Sequence, residues 1–264
     1  MKKKLLIAVI ALTLAAGVFA QTEADFGVTL NDAGDGVVIT KYTGRTLAVR
    51  IPATIQGMPV KEIGERAFAF INATDGITSV VIPAGVTKIG NEAFSTQQKL
   101  TSVTIPDSVA EIGSRAFSGC MALTRIVLPK NLTVIEEETF IGCLSLVSAT
   151  LPEGLTEIKS NAFQGCEKLT SVKIPDSVTA IGGSAFQNCY ALTSLTLGAG
   201  IQKIGYDAFY YCPNLTTVTI PDSVEVIEFR SFDDKPTAFR GCAKVNLASQ
   251  AALKRRGYTG SFTN

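Results

Sequence analysis

Aliphatic residues recur in this chain with a phase of 23 residues, at Ile77, Leu100, Leu123, Leu146, Leu169, Leu192 and Leu215. The unit is plainest at 100–122, LTSVTIPDSVAEIGSRAFSGCMA, and at 169–191, LTSVKIPDSVTAIGGSAFQNCYA. With the phase residue as offset 0, apolar side chains return at offsets 3 and 5 around a polar offset 4, as in Val103, Thr104 and Ile105. That period of two predicts a short strand with one buried face. Proline follows at Pro83, Pro106, Pro129, Pro152, Pro175 and Pro221. Lacking an N–H, it ends the strand at a fixed place. Asp107-Ser108 then suits a turn, and Val109 and Ile112 predict a second short extended piece. A glycine often follows (Gly90, Gly113, Gly182, Gly205), but Glu136, Lys159 and Glu228 replace it, so the position does not demand a positive φ. The Ala-Phe pair that comes next predicts one helical turn, with Phe94, Phe117, Phe140, Phe163, Phe186 and Phe209 stacked down the core.

A fixed period in the low twenties marks a stacked solenoid, in which a unit buries its apolar face only against its neighbours. One parallel strand per unit, joined by crossovers, predicts right-handed winding. An eighth rung precedes the regular seven: 47–76 holds Ile51-Pro52, Val60, Ile63 and Ala67-Phe68, with small insertions. At about 4.8 Å per rung, eight rungs make a sheet about 40 Å long.

The pattern L-x-x-V-x-I-P-x-x-V-x-x-I-G-x-x-A-F-x-x-C-x-x resembles the BspA-like leucine-rich repeats and runs over 46–244. The resemblance implies a leucine-rich-repeat solenoid, a right-handed superhelix with a parallel β-sheet and short helical turns opposite. It also implies a secreted or surface protein of a bacterium, or of certain protists, that attaches to host matrix or to other cells. It carries no catalytic motif.

Open edges must be covered at both ends of a solenoid. Residues 21–45 predict an N-terminal capping hairpin, with strands Phe26–Leu30 and Val37–Tyr42 around a turn at 31–36. Residues 245–264 predict a C-terminal capping helix and tail. Ser249 is the expected N-cap, Lys254, Arg255 and Arg256 the last turn, Gly257 the stop, and Tyr258–Phe262 a lid. Between Ile227 and Ala238 an insertion with Asp233-Asp234-Lys235-Pro236 predicts a bulging loop.

Residues 1–20 have the form of a signal peptide: Lys2, Lys3 and Lys4, an apolar run from Leu5 to Ala16, and Val18-Phe19-Ala20 before the cut. The run is short for a bilayer span, and no second one follows. A soluble exported protein is expected, in periplasm, on the cell surface or secreted. Removing three lysines changes the formal charge from +1 to −2, which leaves no electrostatic footprint for nucleic acid or an anionic membrane. Histidine is absent, and with it the commonest general base and transition-metal ligand. No cofactor is expected.

Cys120, Cys143, Cys166, Cys189, Cys212 and Cys242 all fall at offset 20, allowing for the insertion. An even count in an exported protein suggests disulfides. Stacked rungs, however, hold their Cβ vectors parallel, whereas a disulfide or a metal needs converging sulfurs. A structural column of buried thiols is therefore expected, with disulfides and then metal as alternatives. The turn Asp32-Ala33-Gly34-Asp35-Gly36 lacks the spacing and terminal glutamate of a calcium loop. Glu136-Glu137-Glu138 reads as solvated surface. Asn72-Ala73-Thr74, Asn131-Leu132-Thr133 and Asn214-Leu215-Thr216 match the glycosylation sequon.

Tyr190, Tyr206, Tyr210 and Tyr211 crowd two adjoining rungs at positions flanking the Ala-Phe turn. They are candidates for partner binding, since tyrosine offers contact area at little entropic cost; the competing reading is a cover for the core. The strand face offers Ser102, Thr104, Ser148, Thr150, Ser171, Ser194, Thr196, Thr217 and Thr219, with Arg125 and Lys173 its only charges. Such a face suits a sugar or protein contact and is also the ordinary way to solvate a sheet. These residues together predict a non-enzymatic, adhesin-like exported protein whose partner is a protein or glycan on host matrix or a cell surface. The alternative is a self-associating structural or periplasmic scaffold. A hydrolase would need a nucleophile–base pair that the sequence does not supply.

Overall fold

The computed structural model describes residues 21–69, 76–228, 237–255 and 258–262. The signal segment, the sequon at Asn72, the loop at 233–236 and the helix stop at 256–257 lie outside them. The chain is a parallel β-solenoid of about eight turns spaced about 23 residues apart. One face is a ladder of three-residue strands hydrogen-bonded in three successive sheets: Ala48–Arg50, Ser79–Val81 and Ser102–Thr104; Arg125–Val127 and Ser148–Thr150; Ser171–Lys173, Ser194–Thr196 and Thr217–Thr219. Its register is one whole repeat, with Ser102 opposite Ser79 and Ser171 opposite Ser194. A second ladder uses the short extended piece, as in Glu111–Ile112, Glu157–Ile158 and Lys203–Ile204. Isoleucines of this ladder face one another across rungs, Ile158 opposite Ile181 and Ile181 opposite Ile204.

The Ala-Phe segment is a run of tight turns, not the expected helical turn. Two positions per rung lie in the left-handed region: Arg66, Glu92, Arg115, Glu138, Asn161, Ser184 and Asp207 at φ 53–59°, then an offset-19 residue. A left-handed residue ends a right-handed helix. The amides therefore bond across rungs, Phe117 N–H to Thr139 O at 2.9 Å and Phe163 N–H to Ala185 O at 2.8 Å. This stacking brings the phenylalanines together. From Phe68 to Phe239 consecutive ring centroids lie 4.7–5.5 Å apart and nearly parallel. The offset-13 glycine has its own reason, which is close approach. A Cβ on Gly113 would stand 2.7 Å from the backbone nitrogen of Asn91 one rung back. Where Glu136 and Lys159 take that place in succession, they form an ion pair at 2.8 Å.

Both ends are closed by aromatic and polar caps. At the start, β1 (Phe26–Leu30) pairs antiparallel with β2 (Val37–Tyr42), which joins the second ladder through Met58–Ile63. Phe26 and Tyr42 extend the ring column beyond Phe68. The side-chain amide of Gln21 seals the edge of Ala48–Arg50 by exchanging hydrogen bonds with the Arg50 backbone. At the far end, α1 spans Leu247–Arg255. Its cap is Asn246, whose Oδ1 accepts the Ser249 N–H at 2.9 Å. Ser249 thus sits inside the helix, and its buried hydroxyl accepts the Val218 N–H at 3.1 Å, closing the last strand's edge. Asparagine wins the cap because it stands where the first orphan amides point, which frees the serine for the sheet. Tyr258 then lies edge-on over Phe239 at 5.6 Å, with Phe262 behind it.

Candidate functional site

All six cysteines are buried free thiols. Each S–H donates to the backbone carbonyl of a phenylalanine one rung back: Cys120 to Phe94, Cys143 to Phe117, Cys166 to Phe140, Cys189 to Phe163, Cys212 to Phe186 and Cys242 to Phe209, at 3.1–3.4 Å. The column therefore satisfies carbonyls beside the ring stack. Burial pushes the thiols of Cys143 and Cys189 up to about 12 and those of Cys120, Cys166 and Cys212 well above the ordinary value. A thiol so deprived of its thiolate is a poor nucleophile and metal ligand. Among the described residues, no three His, Cys, Asp or Glu side chains converge as a metal site.

The six tyrosines divide into three groups. Tyr42 and Tyr258 flank the phenylalanine stack at its two ends, each donating its hydroxyl to a nearby backbone carbonyl, Thr46 O and Ser261 O, at 3.0 Å. Tyr190, Tyr210 and Tyr211 form a surface patch. Tyr211 meets the edge of Tyr190 at 5.8 Å and Tyr210 at 6.2 Å. Tyr206 lies apart from these ring contacts, folded over Gly183 so closely that a Cβ there would stand 2.7 Å from its Cζ. Tyr211 and Tyr206 are 38% and 37% exposed, against complete burial of the stacked phenylalanines.

Tyr211 also carries a backbone cost. Its φ is 56°, at offset 19, where other rungs place Gly119, Gly142, Gly165 and Gly241 or the smaller Thr96 and Asn188. The left-handed region costs a bulky residue about 1–2 kcal/mol. Since the other rungs hold their backbone the same way, it is the exposed ring in contact with Tyr190 and Tyr210 that makes Tyr211 a candidate for function. The signal was present in the sequence as one offset that is glycine in four rungs and threonine, asparagine or tyrosine in three others.

The strand face places Arg125 and Lys173 outward on Arg125–Val127 and Ser171–Lys173, both exposed. Lys173 reaches Glu153 at 3.5 Å. They lie on the three-residue ladder, whereas the tyrosines lie on the turns, so they do not form one site. An outward Val127, 57% exposed, interrupts the hydroxyl rows. Many threonine hydroxyls at offset 1 are occupied within the ladder, as Thr101 donates to Thr78 O and Thr216 to Thr193 O. Glu136 and Glu138 are engaged too, with Lys159 and Arg115. Hydrogen bonding and charge from Arg66 hold the Glu92 carboxyl below its ordinary value despite some desolvation. On the second ladder a groove of about 460 Å³ is lined by Glu62, Glu65, Glu111 and Glu136 around Lys88. In the two described sequons the amides are spent on backbone, Asn131 on Asp107 O and Asn214 on Tyr190 O. In the Asp/Gly turn, Asn31 Oδ1 accepts the N–H groups of Asp35 and Gly36, which makes it a hairpin turn.

The family model for the BspA-type leucine-rich repeat region matches residues 61–190 and 116–246. The solved leucine-rich repeat protein of T. pallidum is 29% identical, covers 92% of this chain and 98% of its own, and has a TM-score of 0.66. A leucine-rich cell surface protein from Faecalibacterium prausnitzii is 25% identical over 88% of this chain and 82% of its own, with a TM-score of 0.51. Among curated proteins none matches. Among the described residues no helix is long and apolar enough to cross a membrane.

Proposed function

The chain belongs to the BspA-type leucine-rich repeat family, and from that premise we propose that it is an exported, non-enzymatic binding protein. It attaches to a protein or glycan on host matrix or a cell surface. The patch Tyr190–Tyr210–Tyr211 is its main contact, and the observation that carries this is the meeting of three aromatic rings on the turn face, with Tyr211 38% exposed. The similar cell surface protein of Faecalibacterium prausnitzii supports the location.

The experiment uses protein processed by its own host and immobilised extracellular-matrix proteins and glycans as probes. Replacing Tyr190 and Tyr210 by Ser and Tyr211 by Gly should weaken binding at least about tenfold, the scale of losing aromatic anchors. Thermal unfolding should still be cooperative, since the ring column is untouched. Unchanged binding would reduce the patch to a cover over the turns.

A further inference from the structure

We infer that the tyrosine patch takes an anionic glycan, a sugar chain bearing sulfate or carboxylate groups, held by Arg240 and Lys244 beside the rings. This rests on the patch being the contact surface and adds the chemistry of what it contacts. The stack of Phe209 over Phe239 at 5.2 Å fixes the register of the last two rungs, so Tyr210 is level with Arg240. On the other flank the Lys244 ammonium donates to Asn214 Oδ1 at 2.6 Å, and Asn214 Nδ2 donates to Tyr190 O at 2.8 Å. One cation therefore stands next to Tyr210, and the other is tethered through Asn214 to the backbone of Tyr190.

Both cations are exposed, and among the described residues neither enters an ion pair. The neighbouring acids do not cancel them. Exposed Glu167, one rung before Tyr190, has exposed Lys168 next to it. Asp207 is buried. Asp222 and Glu225 come just before Val226–Ile227, on the second-ladder side of the rung. In the insertion Arg230 and Lys235 balance Asp233 and Asp234.

A half-exposed ring offers its face to apolar C–H groups, and the two cations call for oxyanions within reach of the same ligand. A sugar carrying an acid group presents both on one rigid ring, which loses little conformational freedom on binding. The arginine fork matches the paired oxygens of sulfate or carboxylate, and lysine adds a point charge. An acidic peptide fits less well, because the patch lies on turns whose amides are spent. Asn188 N–H bonds to Tyr210 O and Tyr211 N–H to Arg240 O. Main-chain bonding carries the recognition of extended peptides, and these turns offer no open strand edge for it.

Calorimetric titration of the processed protein with a heparin oligosaccharide, its desulfated counterpart, neutral dextran of equal length and a poly-Glu peptide tests the inference. The heparin oligosaccharide should bind at least about tenfold more tightly than dextran or poly-Glu, and more weakly at about 300 mM salt than at about 50 mM. Binding kept after desulfation would support carboxylate as the anion, and binding lost would support sulfate. Arg240→Ala with Lys244→Ala should weaken heparin binding at least about tenfold, with thermal unfolding still cooperative. Lys254→Ala with Arg255→Ala, which removes as much charge from α1, should leave it within about twofold. Equal binding of dextran, tighter binding of poly-Glu, or an equal loss from the α1 pair would each overturn the inference. The tyrosine variant separates the two claims. Loss there without loss in the Arg240–Lys244 variant leaves the patch standing and overturns the anionic ligand, whereas no loss in the tyrosine variant overturns the patch itself.

Discussion

Raising the pH should unfold this protein through its buried thiols. In the unfolded chain a cysteine loses its proton near the ordinary value of 9.0, whereas Cys143 and Cys189 in the fold hold theirs up to about 12. Between those values the folded state binds more protons than the unfolded one, so stability falls as pH rises. The contribution is fully present below about 9 and lost progressively toward 12. Each such thiol gives a slope of about 1.4 kcal/mol per pH unit, so the two together give about 3 kcal/mol per unit. Cys120, Cys166 and Cys212 shift in the same direction and steepen the loss. Tyr42 and Tyr258, also raised by burial, add to it. The assay is urea unfolding at pH 8, 9, 10 and 11 under a non-thiol reductant, in wild type and in Cys143→Ala with Cys189→Ala. The variant starts lower, through two lost S–H···O contacts, but its slope should be shallower by about 3 kcal/mol per unit. Equal slopes would refute the claim that the thiols are buried and protonated in the fold.

Phe163→Ala should cost about 3–5 kcal/mol in denaturant unfolding by opening a cavity in the ring column. Deleting residues 146–168, one whole rung, should instead leave a shorter protein that unfolds cooperatively, because each rung contacts its neighbours. Ser249→Ala should cost about 1–3 kcal/mol by orphaning the buried Val218 N–H, with loss of amide protection in hydrogen exchange at the last strand before the rest. Arg115→Ala, despite its two-pronged pair with Glu138, should leave the denaturant midpoint nearly unmoved, as its side chain is exposed and solvent screens the pair.

The rungs were legible because each offset is constrained by all its copies at once. Leucine, proline and phenylalanine each mark a place where one residue type fits, and seven in-phase copies make the phase unambiguous. The Ala-Phe turn was not legible as a turn, because its left-handed residue is Arg, Glu, Asn, Ser or Asp, none of which announces a positive φ as glycine does. Ser249 misleads for a related reason. Asn246 and Ser249 are both good caps, and only the position of the last strand shows which amide each one serves. The thiols' partners lie 26 residues back in most rungs, a spacing set by the stacking of turns and absent from any local motif. Four tyrosines could be seen to cluster, but which three share ring contacts depends on turn geometry, and Tyr206 is diverted by the space over Gly183.

An attachment protein must be displayed where its partner is. Antibody raised against the processed protein, applied to intact and to permeabilised cells of its host, tests that directly. The account predicts labelling of intact cells, with a surface-released form that begins at Gln21 by mass. Signal that appears only after permeabilisation would place the chain behind the envelope and contradict an attachment role.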